Sequence, residues 1–433
     1  MYSVKQKGGQ QDKKEILIQN QNIETKNVED KDEGNENKGN ENKGKENNLS
    51  KGLSEISKEV KENISNANIE YMDLREYFNI SDQDIDEYFR DKDSIDLNLL
   101  SMLSNAFGVS NFEDDVRSII TNFIESYNYT YTVDLKGNIS VFKDIPNEEF
   151  KVALVSHIDE VGFIVSEKYK YPYVKVEPIG GWDIRNLLSS KVVIKTKSGY
   201  VKGVFASLPP HIKKDFNVKE FNDLYVDVDC NYDLVDVGDP LTLESYFEVI
   251  SPYSVMGKAF DNRVGTYINL HLLKNIDPYV DVLHIFTVQE ELGLRGARFI
   301  LNNEKFSADL IIILETTSGE SPYTDSQVSY VSKGPVLTIM DKSYIANPKL
   351  IDFVKFIANS LDIPLQIKKP NIGGTDAGYL QDLGNTIIIS VPAKYIHTNY
   401  QIVHLTDIQN TIKLVKNIIQ NSDFIKYLKD IQI

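Results

Sequence analysis

Thr287-Val-Gln-Glu-Glu-Leu-Gly-Leu-Arg-Gly-Ala297 follows a strand-like run, Val282 to Phe286, and leads into a helix-like segment, Arg295 to Leu301. Adjacent carboxylates at the end of a buried strand are costly unless something there requires negative charge. A cationic metal beside a proton-shuttling base is one such requirement. A solvated acid pair opening a helix, where the dipole favours negative charge, is the other reading.

Outward from this stretch the chain alternates strands and helices. Upstream, Arg263 to Lys274 reads as a helix with Val264, Tyr267, Ile268, His271 and Leu272 on its inner side. Downstream, strands are expected at Leu310–Leu314, Val336–Met340 and Thr386–Val391, with helices between them. Thr406 is expected to cap a last helix carrying Ile408, Ile412, Val415 and Ile419. Folded sequence begins near Leu97. Ser110-Asn-Phe-Glu113 has the form of a capping box, and Val116, Ile119, Ile120, Phe123, Ile124 and Tyr127 follow at helical spacing. Tyr131 to Phe142 reads as a hairpin turning at Lys136-Gly137-Asn138, and Lys151 to Val155 as a buried strand running into Ser156-His157-Ile158-Asp159-Glu160.

Between about Tyr169 and Tyr253 the style changes. Strand-like runs (Tyr173–Pro178, Val192–Thr196, Val201–Ala206, Leu224–Asp229 and Thr242–Ile250) succeed one another without helices. The expected fold is therefore α/β, a mixed sheet sandwiched by helices and interrupted once by a small all-β, barrel-like insertion. The expected division is 99–168 and 254–433 for the α/β domain, with 169–253 inserted.

Composition narrows the function classes. The chain has 433 residues, 26% of them charged, and a net charge of −17, which argues against nucleic acid and anionic membranes as partners. Its one cysteine, Cys230, excludes an intramolecular disulfide and argues against a thiolate cluster. No apolar run of about 18 residues is present, nor a secretory signal, so the expectation is a cytoplasmic protein. Residues 1–65 are rich in Asn, Lys, Glu and Gly, with Gly-Asn-Glu-Asn-Lys nearly repeated, and are expected to be disordered. Residues 66–98 are acidic and aromatic, and read as a helical lead-in.

In open α/β sheets, sites gather where the carboxyl ends of strands meet. Four strands here end in candidate metal ligands: His157 with Asp159, Glu290-Glu291, Glu315, and the stretch leading to His397. Asp261 precedes a helix. Each has an ordinary alternative, a packing histidine, a helix cap or a loop acid, but independent arguments place them at one sheet edge. His211, His271, His284 and His404 are left as packing residues. Two His and three carboxylates suit two divalent ions, zinc above all, with cobalt or manganese also fitting. One of the adjacent glutamates then serves as ligand and the other as base, since neighbouring side chains diverge.

The sequence resembles the dinuclear metallo-aminopeptidases that include the tetrahedral aminopeptidases, the bacterial glutamyl aminopeptidases and proteins labelled endoglucanase M. The resemblance runs from about Leu103 to Leu414. It rests on His157-Ile-Asp-Glu-Val-Gly-Phe-Ile-Val165, Ile179-Gly-Gly-Trp-Asp183, Leu208-Pro-Pro-His211, Phe260-Asp-Asn-Arg-Val-Gly265, Val288-Gln-Glu-Glu-Leu-Gly-Leu-Arg-Gly-Ala297, Gly373-Gly-Thr-Asp-Ala377 and Tyr395-Ile-His397, in that order.

The resemblance implies a zinc-exopeptidase-like sheet and a role for each residue. Asp261 would bridge two metals, with His157 and Glu315 completing one and Glu291 and His397 the other. Glu290 would be the general base, and Asp159 would support His157. It further implies peptide substrates, and a β insertion serving homo-oligomer assembly from dimers, often to a hollow dodecamer. The chain departs from the family at Glu315 and Glu320, where Asp is usual, and at Lys394, where Arg is usual; an Arg-to-Lys change is not neutral at a bidentate contact. Two rival functions remain. A glycosidase needs a pair of metal-free carboxylates flanking a sugar bond. A non-catalytic assembly protein would need no metal.

Overall fold

Runs rich in Val, Ile and Leu at 152–155, 282–286, 310–314 and 386–391 are long enough for strands and place apolar residues on both faces, as a sheet covered on both sides requires. In the computed structural model, which describes residues 95–143, 150–209, 211–212, 218–302, 307–323, 329–368 and 373–430, they form the centre of one large sheet. The expectations for 1–65, and for 66–98 up to residue 94, lie outside the described residues.

Helices α1 (Leu97–Asn105) and α2 (Asp114–Ser126) lead to the hairpin of β1 (Tyr131–Val133) and β2 (Ile139–Lys143), then to β3 (Lys151–His157). Next come β4 (Gly162–Lys168), β5 (Tyr173–Ile179), β6 (Lys191–Thr196), β7 (Gly199–Phe205), β8 (Tyr225–Asp227) and β9 (Pro240–Leu243). β10 (Glu248–Ser251) and β11 (Ser254–Gly257) bring the chain to α3 (Phe260–Asn275) and β12 (Asp281–Thr287). They are followed by α4 (Arg295–Leu301), β13 (Leu310–Ser318), β14 (Val336–Thr338), α5 (Pro348–Ser360) and β15 (Gln366–Lys368). The described chain ends with α6 (Ala377–Leu380), β16 (Asn385–Lys394), β17 (Gln401–His404), α7 (Leu405–Gln420) and α8 (Ser422–Asp430).

The large sheet has 11 strands in the order β1-β2-β12-β3-β13-β16-β17-β11-β10, with β14 and β15 attached beside β16. β12, β3, β13 and β16 run parallel, and the outer pairs are antiparallel, so the sheet is mixed. Alternate residues serve opposite faces. Val152, Leu154, Ile312 and Leu314 pack with α3, α5 and α7, whereas Ala153, Val155, Ile311 and Ile313 pack with Ala297 and Ile300 of α4 and Ala377 and Leu380 of α6. Full burial of each Ile, Leu or Val contributes about 1.5–3 kcal/mol.

The six strands β4, β5, β8, β7, β6 and β9 close a barrel around Phe163, Val165, Val176, Ile194, Val226 and Leu241. It takes in β4 from Gly162, before the expected start at 169. The expected strand Thr242–Ile250 is two strands. β9 belongs to the barrel and β10 to the large sheet, because Phe247 packs edge-on against Phe260 and draws the chain across. The capping box at Ser110 does not form: Glu113 is the N-cap residue of α2 without a side-chain cap, and the Ser110 hydroxyl is used elsewhere. Likewise α7 starts at Leu405 with His404 as N-cap, and Thr406 pairs with the His404 ring. Among the described residues no helix is long and apolar enough to cross a membrane.

A polar pair, His284 with Asn269, lies within the apolar interior. His284 Nδ1 donates to Asn269 Oδ1 at 2.8 Å, and the Asn269 amide donates to the carbonyls of Leu154 and Ile285. Burial, aided by the charge of Lys143, pushes the His284 imidazole down to about 3. The unfolded chain takes up this proton near pH 6.5, so protons bind the unfolded state preferentially between that value and about 3. Stability from this residue is therefore lost as the pH falls below 6.5, by about 2 kcal/mol at pH 5. His284→Asn should flatten that part of the pH dependence, read as the difference in denaturant midpoint between pH 7 and pH 5.

Candidate metal centre

Strand pairing shows why a crevice opens where it does. β3 and β13 stay paired only as far as Val155 and Ile313. β12 follows β3 to His157, and β13 follows β16 to Ala393. The sheet thus splits between β3 and β13, and the residues beyond the split line the gap. His157 ends β3, Glu290 and Glu291 follow β12, Glu315 lies on β13 past the split, and His397 follows β16. Asp261 joins them from the start of α3, where Asp261 (φ −79°, ψ 103°) and Asn262 (φ −122°, ψ 44°) leave helical geometry. Asp261 is thus not the ordinary cap its sequence position suggested.

The side chains pair in an ordered way. Asp261 turns Oδ1 to His157 Nε2 and Oδ2 to His397 Nε2, each at 3.4 Å. On the first side Glu315 Oε1 lies 3.4 Å from His157 Nε2. On the second, Glu291 Oε1 lies 3.1 Å from His397 Nε2. Glu290 stands further off, 4.0 Å from His157 Nε2. Ligand atoms of His157, Asp261 and Glu291 lie within 4.8 Å of one another, as do those of His157, Glu290 and Glu315. Every residue singled out from sequence for metal or proton chemistry thus lies in this gap or, for Asp159, directly behind it.

Supporting bonds fix the set. Asp159 accepts the backbone amides of Glu290 (3.0 Å) and Glu291 (3.1 Å) and the Ser110 hydroxyl at 2.5 Å. Its distance to His157 Nδ1 is 3.5 Å, too long for a good hydrogen bond, so its main physical task is to hold the glutamate pair. His397 Nδ1 donates to Gly181 O at 2.8 Å, which leaves Nε2 free to ligate and gives the Ile179-Gly-Gly-Trp-Asp183 motif a purpose. The Asp261 amide is held by Gln401 at 3.0 Å, and Asn262 donates to Leu314 O at 2.8 Å. Ala259, Gln289, Tyr395 and His397 all take φ between 54° and 59°, a conformation costing of order 1 kcal/mol or more for residues with a Cβ. Each is, or lies within two residues of, a candidate site residue.

The electrostatics call for positive charge. Burial alone would push His157 down, but Glu315 and Glu290 outweigh it and lift the imidazole well above 6.5. Against the same opposition Glu291 and Asp261 pull His397 up to about 11. Burial pushes the Glu290 carboxyl well above the carboxylate range; His157 opposes this, and Glu291 and Glu315 reinforce it. Four carboxylates converge here on two imidazoles. The buried His157 Nδ1 has no hydrogen-bond partner of good geometry. This all-oxygen-and-imidazole donor set fits divalent cations of the zinc, cobalt or manganese type.

The gap opens into a cavity of about 550 Å³, also lined by Leu294, Thr316, Asp341, Lys342, Lys368 and Ile396. Sequence reading missed Asp376, Asp341 and Ser110. Asp376 accepts from Thr287 at 2.6 Å, and burial raises its carboxyl to about 7. Asp341 accepts from Thr375 at 3.0 Å. The Gly373-Gly-Thr-Asp-Ala377 motif supplies both contacts and was the available signal. Glu320 and Lys394, two of the departures from the family pattern, meet each other at 2.8 Å.

A family model described as M42 glutamyl aminopeptidase matches residues 137–414. FrvX of Escherichia coli (strain K12) is 31% identical over 340 residues, 74% of this chain and 94% of that protein. Among solved structures, a TET aminopeptidase from a marine sediment archaeon of the Thaumarchaeota is 32% identical with a TM-score of 0.72, covering 78% of this chain and 100% of that one. The Pyrococcus horikoshii TET1 peptidase, described as assembling into a tetrahedron or a large octahedral shell, is 29% identical with a TM-score of 0.68, covering 75% and 99%.

Proposed function

Because the chain belongs to the M42 glutamyl aminopeptidase family, we propose that it is a metal-dependent aminopeptidase that removes N-terminal residues from short peptides, using two divalent ions. The observation carrying this reading is the divided carboxylate of Asp261, one oxygen toward each imidazole, with one further acid on either side and Glu290 left over. His157, Asp261 and Glu315 would hold one ion, and His397, Asp261 and Glu291 the other, zinc being the first candidate. Bound ions would supply electrostatic activation of a water and polarisation of the scissile carbonyl.

The protein's own groups do the rest. Glu290, in a buried and negatively charged setting, takes a proton from the attacking water and returns it to the leaving amine. Asp159 keeps the Glu290 and Glu291 backbone in register. The carboxylates of the site favour a free, positively charged substrate amino terminus. The cavity beyond them admits an extended peptide end.

Two broader features belong to the same proposal. The barrel is the assembly element of a dimer-built homo-oligomer such as a dodecamer; the tetrahedral and octahedral assemblies described for the Pyrococcus horikoshii relative support the homo-oligomer. The setting is cytoplasmic, supported by the single cysteine. Purified protein reconstituted with zinc, cobalt or manganese should release N-terminal residues from a peptide library, lose that activity to a chelator and regain it with metal. No cleavage of any peptide or aminoacyl anilide under these conditions would sink the reading. Chelator-resistant hydrolysis of a β-glucan instead would favour the glycosidase.

A further inference from the structure

Glu160 is a buried carboxylate to which the proposed chemistry assigns nothing. Lys258 Nζ donates to both of its oxygens, at 2.6 and 2.8 Å, and the two residues are 6% and 3% exposed. The Gly108 amide donates to Glu160 at 3.0 Å and the Thr242 hydroxyl at 3.2 Å. Lys258 gives a further bond to Ala106 O at 3.0 Å. The Arg263 guanidinium, fully buried, lies 3.6 Å from Glu160 and donates to Leu103 O at 2.5 Å. The fit leaves no slack: a Cβ on Gly108 would stand 2.4 Å from that guanidinium.

Burying an ion pair is poor value for stability alone, since apolar residues of similar volume fill such space at least as well. Its placement suggests another use. Glu160 lies where the chain passes from His157 into the barrel, and Lys258 where it returns from β11 toward Asp261. Thr242 belongs to β9, the last barrel strand, and Gly108 and Ala106 to the loop after α1. The pair ties the crossing from sheet into barrel to the segment that leads from β11 into α3, three residues from His157 on one side and three from Asp261 on the other.

We propose that Lys258 and Glu160 are positioning residues that set the separation of His157 and Asp261, and with it the geometry offered to a metal ion. This rests on the reading of those two residues as metal ligands. The barrel, through Thr242, is part of the device.

The test uses the full chain with Lys258 and Glu160 replaced together (K258M/E160Q), so that neither member of the pair is left charged without the other, while the Arg263 guanidinium keeps its bond to Leu103 O. Thr242→Val is the milder companion, removing the barrel hydroxyl's bond to Glu160 and its longer one to Val161 O. Zinc affinity of metal-free protein is measured by titration calorimetry, metal-free melting by scanning calorimetry, and kcat and KM on an aminoacyl anilide. The double variant should melt near the wild type without metal, yet bind zinc about tenfold or more weakly. Its kcat should fall at least as far, with KM within about twofold, and Thr242→Val should shift both affinity and kcat in the same direction by about threefold. Zinc affinity and kcat within about twofold of wild type in both variants would overturn the proposal and leave the pair a fold-stabilising contact. If the double variant does not fold, Thr242→Val decides by the same two readouts. Wild-type protein that binds zinc but cleaves no substrate would defeat the aminopeptidase reading alone, and the affinity arm would still stand. Wild-type protein that binds no divalent ion defeats both.

Discussion

Glu290→Gln should remove nearly all turnover while leaving the metal content unchanged. A general base contributes about 10²–10⁴-fold, and the amide cannot accept the proton. The substitution is close to isosteric, and the backbone around it is held by Asp159 through the amides of Glu290 and Glu291, so the ligands should stay where they are. Single-turnover kinetics and elemental analysis of the same preparation check both halves. The geometry also defines the contrary outcome. Glu290 shares a close group with His157 and Glu315, as Glu291 does with His157 and Asp261. Loss of a metal ion from Glu290→Gln would mean that Glu290 ligates and Glu291 moves the proton.

The second large effect is expected at Asp261. Asp261→Asn replaces one of two oxygens, each 3.4 Å from a different imidazole, with an amide nitrogen that cannot accept. One side of the site loses its shared ligand, so the metal content should fall from two ions per chain to one or none, and activity should drop by about 10³-fold or more. Elemental analysis after gel filtration, with kcat measured in excess zinc, separates lost affinity from lost chemistry. Recovery of full activity at high zinc would mean that the second oxygen is dispensable. The fold should survive, because the backbone here is fixed by Gln401, Leu314 and Thr316 rather than by the carboxylate.

The sheet and the residues at its split were readable from sequence for a shared reason. Leu310 to Leu314 is apolar throughout, Val282 to Phe286 is broken only by His284, and the site residues begin where these runs stop. His157, Glu290, Glu291 and Glu315 all follow that rule, and α4 starts and ends where its pattern does. What escaped depends on partners remote in sequence. Ser110 has the local form of a capping residue, but its hydroxyl goes to Asp159, 49 residues on. Glu160 and Lys258 are 98 residues apart, and no periodicity links them. The strand reading of Thr242–Ile250 failed because β-propensity does not reveal which of two sheets a segment joins, and Phe260 settles that by packing. Asp376 lay within a motif, yet the reason for it is Thr287, 89 residues earlier.

The bond from His397 to Gly181 bears on how this protein can be taken apart. Gly181 follows β5 and so travels with the barrel, while His397 follows β16 of the large sheet. An engineer who excised the barrel to obtain a smaller catalyst would remove the carbonyl that orients one imidazole, along with the hydroxyl of Thr242 that braces Glu160. The insertion is therefore not a detachable accessory. Chimaeras that exchange barrels between relatives should work only when the Gly180-Gly181 turn is carried over with its geometry intact, and a library of barrel swaps scored for turnover would show that boundary directly.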